Sequence, residues 1–211
     1  MNADSIYART TRNRLEIASM LDSLDPGLWA APTLCEGWTV RQLAAHLLQP
    51  MLVGFARFFL VAIRYRGDTP ATVDHFARTI ARREPGELTA LLRHHALDRV
   101  NPPRVGPMGP FTETCIHLRD IARPLDLTVT VPQEDWLDLL TYLTSSAAAP
   151  SLTTPRRTTG LTLLAVDAEW RHGSGPQVIG TLEALAMGIT GRNAALDDLH
   201  GPGVATLRAR L

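Results

Sequence analysis

Lysine is absent from this chain. All 21 basic side chains are arginine, a usage that follows from GC-rich codons and calls for no special role of the guanidinium group. Acidic and basic groups balance to a formal net charge of zero. No overall field therefore draws the chain to nucleic acid or to a charged membrane. Cysteine is scarce: Cys35 and Cys115 form no CxxC pair, and two thiols make no disulfide framework. Long apolar runs are missing as well. The most membrane-like stretch, Leu47 to Ile63, contains Gln49, Pro50 and Arg57. An arginine at mid-depth costs about 2.5–3.5 kcal/mol, so a buried or half-buried helix is expected there. Asp4, Arg9, Arg12 and Arg14 interrupt any signal-like run at the start. These absences lead to the expectation of a soluble, cytoplasmic protein, with no nucleic-acid and no membrane partner.

What is present suits one or two globular domains: 211 residues, 45% of them apolar. Residues 4–24 have helical spacing, and Asp25-Pro26-Gly27 ends them. Thr39 followed by Gln42 is a capping-box pattern and starts a helix at Val40. That helix is expected to run to about Arg64. Pro50 cannot donate to the carbonyl of His46, so a kink is expected there. Two shorter helices are read at 73–83 and 87–98. The segment Asn101 to Pro110, rich in proline, connects them to a helix that stops near Pro124. A further helix is read at 134–148, with Trp136, Leu139, Leu140 and Leu143 at helical spacing. Small and polar residues with Pro150 and Pro155 read as a linker. Beyond it a strand, a turn, a second strand and a helix ending near Gly191 are read.

The chemistry-bearing residues concentrate in "ETCIHLRD", Glu113 to Asp120. Positions i and i+4 of a helix face the same way, so Glu113 and His117 can reach one ion together. The same spacing also describes a plain stabilising pair. Cys115 lies about 200° round from Glu113 and is expected to pack inward. Asp120, one turn past His117, can orient its imidazole. A catalytic zinc site takes three protein ligands and keeps one position open. His46, on another long helix, can be the third ligand or simply a hydrogen-bonded core histidine. His75, His94, His95, His172 and His200 are read as structural or solvated. "HGSGP", His172 to Pro176, is read as a turn, and Arg156-Arg157 as a solvated pair in the linker.

"TLCEGWTVRQLAAHL", Thr33 to Leu47, resembles the N-terminal signature of the mycothiol-dependent maleylpyruvate isomerase family, a branch of the DinB-like metal-binding bundles. "ETCIHLRDIA" is similar to that family's Glu-x3-His-x2-Asp helix, and the stretch from Asp167 to Leu211 to its small sterol-carrier-like C-terminal domain. The resemblance implies a mainly α fold with a small α+β part: a DinB-like four-helix bundle over 1–150, then a small α+β domain over 156–211. It implies a divalent metal, zinc first among them, held by His46, Glu113 and His117, with Asp120 as the matching aspartate. It implies mycothiol as the thiol cofactor. An active-site arginine of the C-terminal domain corresponds to Arg192, which would hold a substrate carboxylate. The expected partners are therefore a small-molecule substrate and a low-molecular-weight thiol, in a monomer or homodimer. The expected activity is metal- and thiol-dependent isomerisation or S-transfer. The alternatives are a metal-dependent hydrolase on the same bundle and a non-catalytic metal- or ligand-binding protein.

Overall fold

The computed structural model describes every residue except Met1, Arg104 and Ala149. Arg104 falls in the expected proline-rich connector and Ala149 in the expected linker, so those two positions lie outside the described residues. The chain is mainly helical with one small sheet, as expected. By packing it divides into two compact units, residues 1–100 with 116–129, and residues 101–115 with 130–211.

The first unit opens with α1 (Ala3–Asp22), whose N-cap Asn2 accepts a hydrogen bond from the Ser5 N–H. A short 3-10 turn at Pro26–Ala30 follows. Helix α2 (Val40–Leu52) starts at the predicted capping box. The Thr39 side chain accepts from the Gln42 backbone, and the Gln42 side chain accepts from the Thr39 N–H at 2.8 Å. The helix passes through Pro50 and ends two residues later. Gly54 then caps a separate helix, α3 (Phe55–Arg64). The expected single helix to Arg64 is thus two. Pro50 removes one hydrogen bond without ending the helix, and the chain breaks where Val53 turns extended.

Helices α4 (Thr69–Ile80) and α5 (Pro85–His94) begin earlier than their apolar spacing indicates. The Asp68 side chain caps Ala71 at 3.0 Å, and Pro70 and Pro85 suit first-turn positions. Helix α1 packs on α5, α2 on both α4 and α5, and α3 on α4. Ile17, Leu21, Leu43, Leu48, Phe76, Leu88 and Leu92 are fully buried between them. The buried Arg14 reaches from α1 to the carbonyls of His95, Ala96 and Asp98, at 3.3, 3.2 and 2.7 Å. It satisfies groups that the end of α5 leaves without helical partners. Burial, its largest influence, lowers the Arg14 pKa, and the Asp98 charge opposes this.

Helix α6 (Met108–Ala122) belongs to the second unit up to Cys115 and to the first from Ile116. No named strand falls within 40–125 among the described residues.

The second unit contains α7 (Gln133–Leu143), a short α8 (Pro155–Thr158) and a sheet of β1 (Thr162–Ala165), β2 (Arg171–Gly173) and β3 (Gln177–Gly180). Strand β1 is central, antiparallel to β2 and parallel to β3. Helix α9 (Leu182–Ile189) packs on the sheet and on α7, and α10 (Val204–Arg208) closes the chain against β3. In "HGSGP", His172 and Gly173 end β2, and residues 174–176 are the turn to β3. Gly173 and Gly175 have φ of 77° and 128°, and a Cβ on either would run into the backbone carbonyls of Leu161 or Gly160. Its glycines serve close backbone packing.

Candidate functional site

The signature loop before α2 is held by its own backbone. Gly37 takes φ of 78°, a conformation that favours glycine. The Thr33 hydroxyl and N–H both donate to the Trp38 carbonyl, at 2.9 and 3.1 Å, and Val40 N–H donates to Ala31 O at 3.0 Å. Leu34 N–H donates to the carbonyl of Asp120 at 3.0 Å, tying the loop to α6. The loop therefore positions three things together: Trp38, the start of α2, and the Asp120 turn.

His46 of α2 and His117 of α6 meet in the first unit. Both are buried, and their ring centres are 5.1 Å apart at an interplanar angle of 85°. His117 Nδ1–H donates to Asp120 Oδ2 at 2.9 Å, and Asp120 is fully buried. His46 Nδ1–H donates to Gln49 Oε1 at 3.4 Å. A carboxylate or amide oxygen only accepts, so Nδ1 of each ring is the donor, and in the neutral imidazole Nε2 then has the lone pair that a metal takes. Two imidazoles bound through Nε2 to one tetrahedral zinc, at about 2.0–2.1 Å, place their ring centres about 5 Å apart. The observed pair fits that spacing. Glu113 lies one turn before His117 on the same helix and is half-buried. Among the described residues, no three His, Cys, Asp or Glu side chains gather closely enough to hold one ion. The structure thus brings together His46, His117 and Asp120.

Trp38 packs against His46, ring centres 4.8 Å apart. Its indole N–H donates to Asp74 Oδ1 at 2.8 Å, and Arg78 Nε donates to both oxygens of the same carboxylate at 2.9 and 2.8 Å. The Arg78 hydrogen bond, above all, holds the Asp74 carboxyl below the usual range. Burial opposes this, while the Trp38 N–H and the Arg78 and His75 charges add to it. Neither Gln49 nor this network emerged from the sequence reading. A signal for Gln49 was there: His46-x2-Gln49 repeats the spacing of His117-x2-Asp120. Cys115 is buried, as expected. Two other histidines have partners of their own: His75 Nδ1 lies 3.2 Å from Tyr65 Oη, and His95 Nδ1 lies 2.7 Å from Asp98 Oδ2.

Arg192 lies in the second unit. It follows Gly191, whose φ is 97°, and its Nη1 donates to Thr190 O at 2.8 Å. Arg157 is half-buried there, with Nη1 donating to Ile189 O at 3.0 Å. It is therefore bound into the unit, which corrects the reading of a solvated pair. Burial first, then the Arg192 charge, lowers the Arg157 guanidinium from its ordinary pKa.

Residues 12–108 match the family described as the mycothiol maleylpyruvate isomerase N-terminal domain. That span contains Trp38, His46, Gln49 and Asp74, and it ends before the Glu113–Asp120 segment. No curated protein sequence matches the chain. Among solved structures, the fold is similar to the crystal structure of a mycothiol-dependent maleylpyruvate isomerase. The TM-score is 0.65 at 17% identity, covering 96% of this chain and 93% of that one. It is also similar to a histidine-to-alanine mutant described under the same enzyme name, with a TM-score of 0.63 at 16% identity and the same coverage. At such identity the likeness establishes the fold, and the family match carries the sequence resemblance.

Proposed function

We propose that this chain is an enzyme of maleylpyruvate isomerase type, dependent on mycothiol and on a divalent metal, with zinc the first choice. The observation that carries the metal reading is the His46–His117 pair, edge to face at 5.1 Å, with an acceptor fixing each Nδ1. The proposed ligands are His46, Glu113 and His117. A divalent ion there would lower the pKa of a coordinated thiol, and the thiol of mycothiol would supply a nucleophile for reversible addition to an electrophilic double bond, giving cis–trans isomerisation or S-transfer.

The chain's own residues do the rest. Asp120 and Gln49 hold the two imidazoles in the tautomer that presents Nε2. Trp38 walls one side of His46 and limits water there. Arg192 is proposed to hold a substrate carboxylate, since a guanidinium fork suits that group and stabilises developing enolate charge. A cytoplasmic location and a monomeric or homodimeric state go with this reading.

The test is metal analysis of the purified protein, combined with mycothiol titration and an isomerase assay. One ion per chain is expected, with several-fold less metal in His46→Ala and His117→Ala. Asp120→Asn should weaken metal binding about 10–100-fold, the usual effect of losing an orienting acceptor. Arg192→Ala should keep its metal and lose turnover, and Arg192→Lys should recover part of it. Full metal retention in both histidine variants would exclude the site.

A further inference from the structure

Helix α3 differs from every other long helix here in having no buried residue. Phe55, Phe59, Leu60 and Ile63 are 76, 56, 68 and 60% exposed. At about 100° per residue they fall within one arc of roughly 140°, and Arg57 and Arg64 lie along one edge of that arc. On the opposite side Phe58 stacks on Phe76 of α4, ring centres 6.0 Å apart; the exposed Arg57, at the border between the two faces, has its guanidinium 5.6 Å from the centre of the same ring. Tyr65 Oη, just past the helix, lies 3.2 Å from His75 Nδ1 of α4. The helix is therefore held on its inner side, with its apolar arc turned outward. Scattered exposed apolar residues are ordinary in a protein; four of them on one helical face are not.

The charge on α3 itself is of one sign, and Asp68, just beyond it, is engaged as the cap of α4 through the Ala71 N–H at 3.0 Å. From Gly37 to Gly67 the chain contains no Asp or Glu, although it is neutral as a whole, and Arg57, Arg64 and Arg66 cluster on and beside the helix. We propose, against the expectation of no membrane partner drawn from the neutral net charge, that α3 is a docking helix for the surface of an anionic phospholipid bilayer. Its apolar arc would sink into the headgroup–acyl boundary, and Arg57 and Arg64 would meet lipid phosphates along its edge. The helix is too short to span a bilayer, and no helix among the described residues is long and apolar enough to do so. A second copy of the chain fits the patch less well. Four side chains offer a few hundred Å², below the roughly 800 Å² per partner of a standard interface. Two copies of this face would also bring arginines together with no carboxylate on α3 to pair with them.

The experiment is co-sedimentation of the full chain with phosphatidylcholine vesicles, with and without phosphatidylglycerol, at low and high salt. Sedimentation velocity without lipid runs alongside. The expected result is binding to the anionic vesicles only, weakened by salt. Partitioning should fall about fivefold for each arginine removed in Arg57→Gln/Arg64→Gln, and at least as much in Phe59→Ser/Leu60→Ser. These side chains are exposed, so circular dichroism should show both variants folded. Absence of binding to anionic vesicles would overturn the proposal, as would equal binding to neutral ones or unchanged binding by the folded variants. So would a dimer that Phe59→Ser/Leu60→Ser dissociates, if the wild type ignores the vesicles.

Discussion

Asp74 shows how one exposed-side carboxylate can act on a buried ring. It accepts from Trp38 and from Arg78, and Trp38 in turn packs on His46. Its pKa is depressed, chiefly through Arg78. A carboxyl whose folded pKa lies below its unfolded value of about 3.9 contributes stability above that value. It loses the contribution as pH falls through the folded pKa. The Asp74→Asn variant should therefore lose less stability than the wild type on going from about pH 5 to pH 2. Urea unfolding at a series of pH values reads this directly, and identical slopes for the two proteins would show that Asp74 is not held by its partners. The effect is modest, because Arg78 is solvent-exposed and water screens the pair.

Within elements, the ends matter more than the middles. Helix α2 carries His46, and its first turn is fixed by the reciprocal Thr39–Gln42 bonds. Thr39→Ala removes the side-chain half of that box and should cost about 1 kcal/mol of stability by chemical denaturation. A loss of less than a few tenths would mean that the loop bonds of Thr33 and Val40 hold the helix start unaided. The other end of α2 is governed by backbone geometry. Pro50 sits inside the helix, and Val53 and Gly54 separate it from α3. The break lets α3 run as a helix of its own, packed on α4 through one side. Its apolar spacing alone described a helix without indicating that the outer arc is left uncovered.

At the scale of the whole molecule, composition and packing divide the chain differently. Composition changes over residues 147–160, which suggested 1–150 and 156–211, and we keep that division as a proposal about modules along the sequence. Packing places α7 in the same compact unit as the sheet, against α9. In that unit the buried Thr153 hydroxyl donates to Ile189 O at 3.0 Å. A fragment ending at residue 150 would bare the face of α7 that carries Trp136, Leu139, Leu140 and Leu143, all buried in the full chain. Such a fragment should unfold more readily than the whole protein and bind a hydrophobic dye. A fragment as stable as the full chain would make the sequence boundary a folding boundary as well.

The amino-acid sequence by itself determined the mainly helical fold, the capping box at Thr39 and the shared helix of Glu113, His117 and Asp120. These are local matters: helical period, cap chemistry and i, i+4 spacing act within a few residues. The resemblance in Thr33–Leu47 also lay in contiguous residues. Strand β3 was not legible, because "QVIG" is four residues long and becomes a strand only by pairing in parallel with β1. Only the tertiary structure decided that His117 approaches His46, that Trp38 lies on His46 under the hold of Asp74, and that α7 keeps company with the sheet. Each depends on residues far apart in the chain and on which faces the core covers, and no local pattern encodes that pairing.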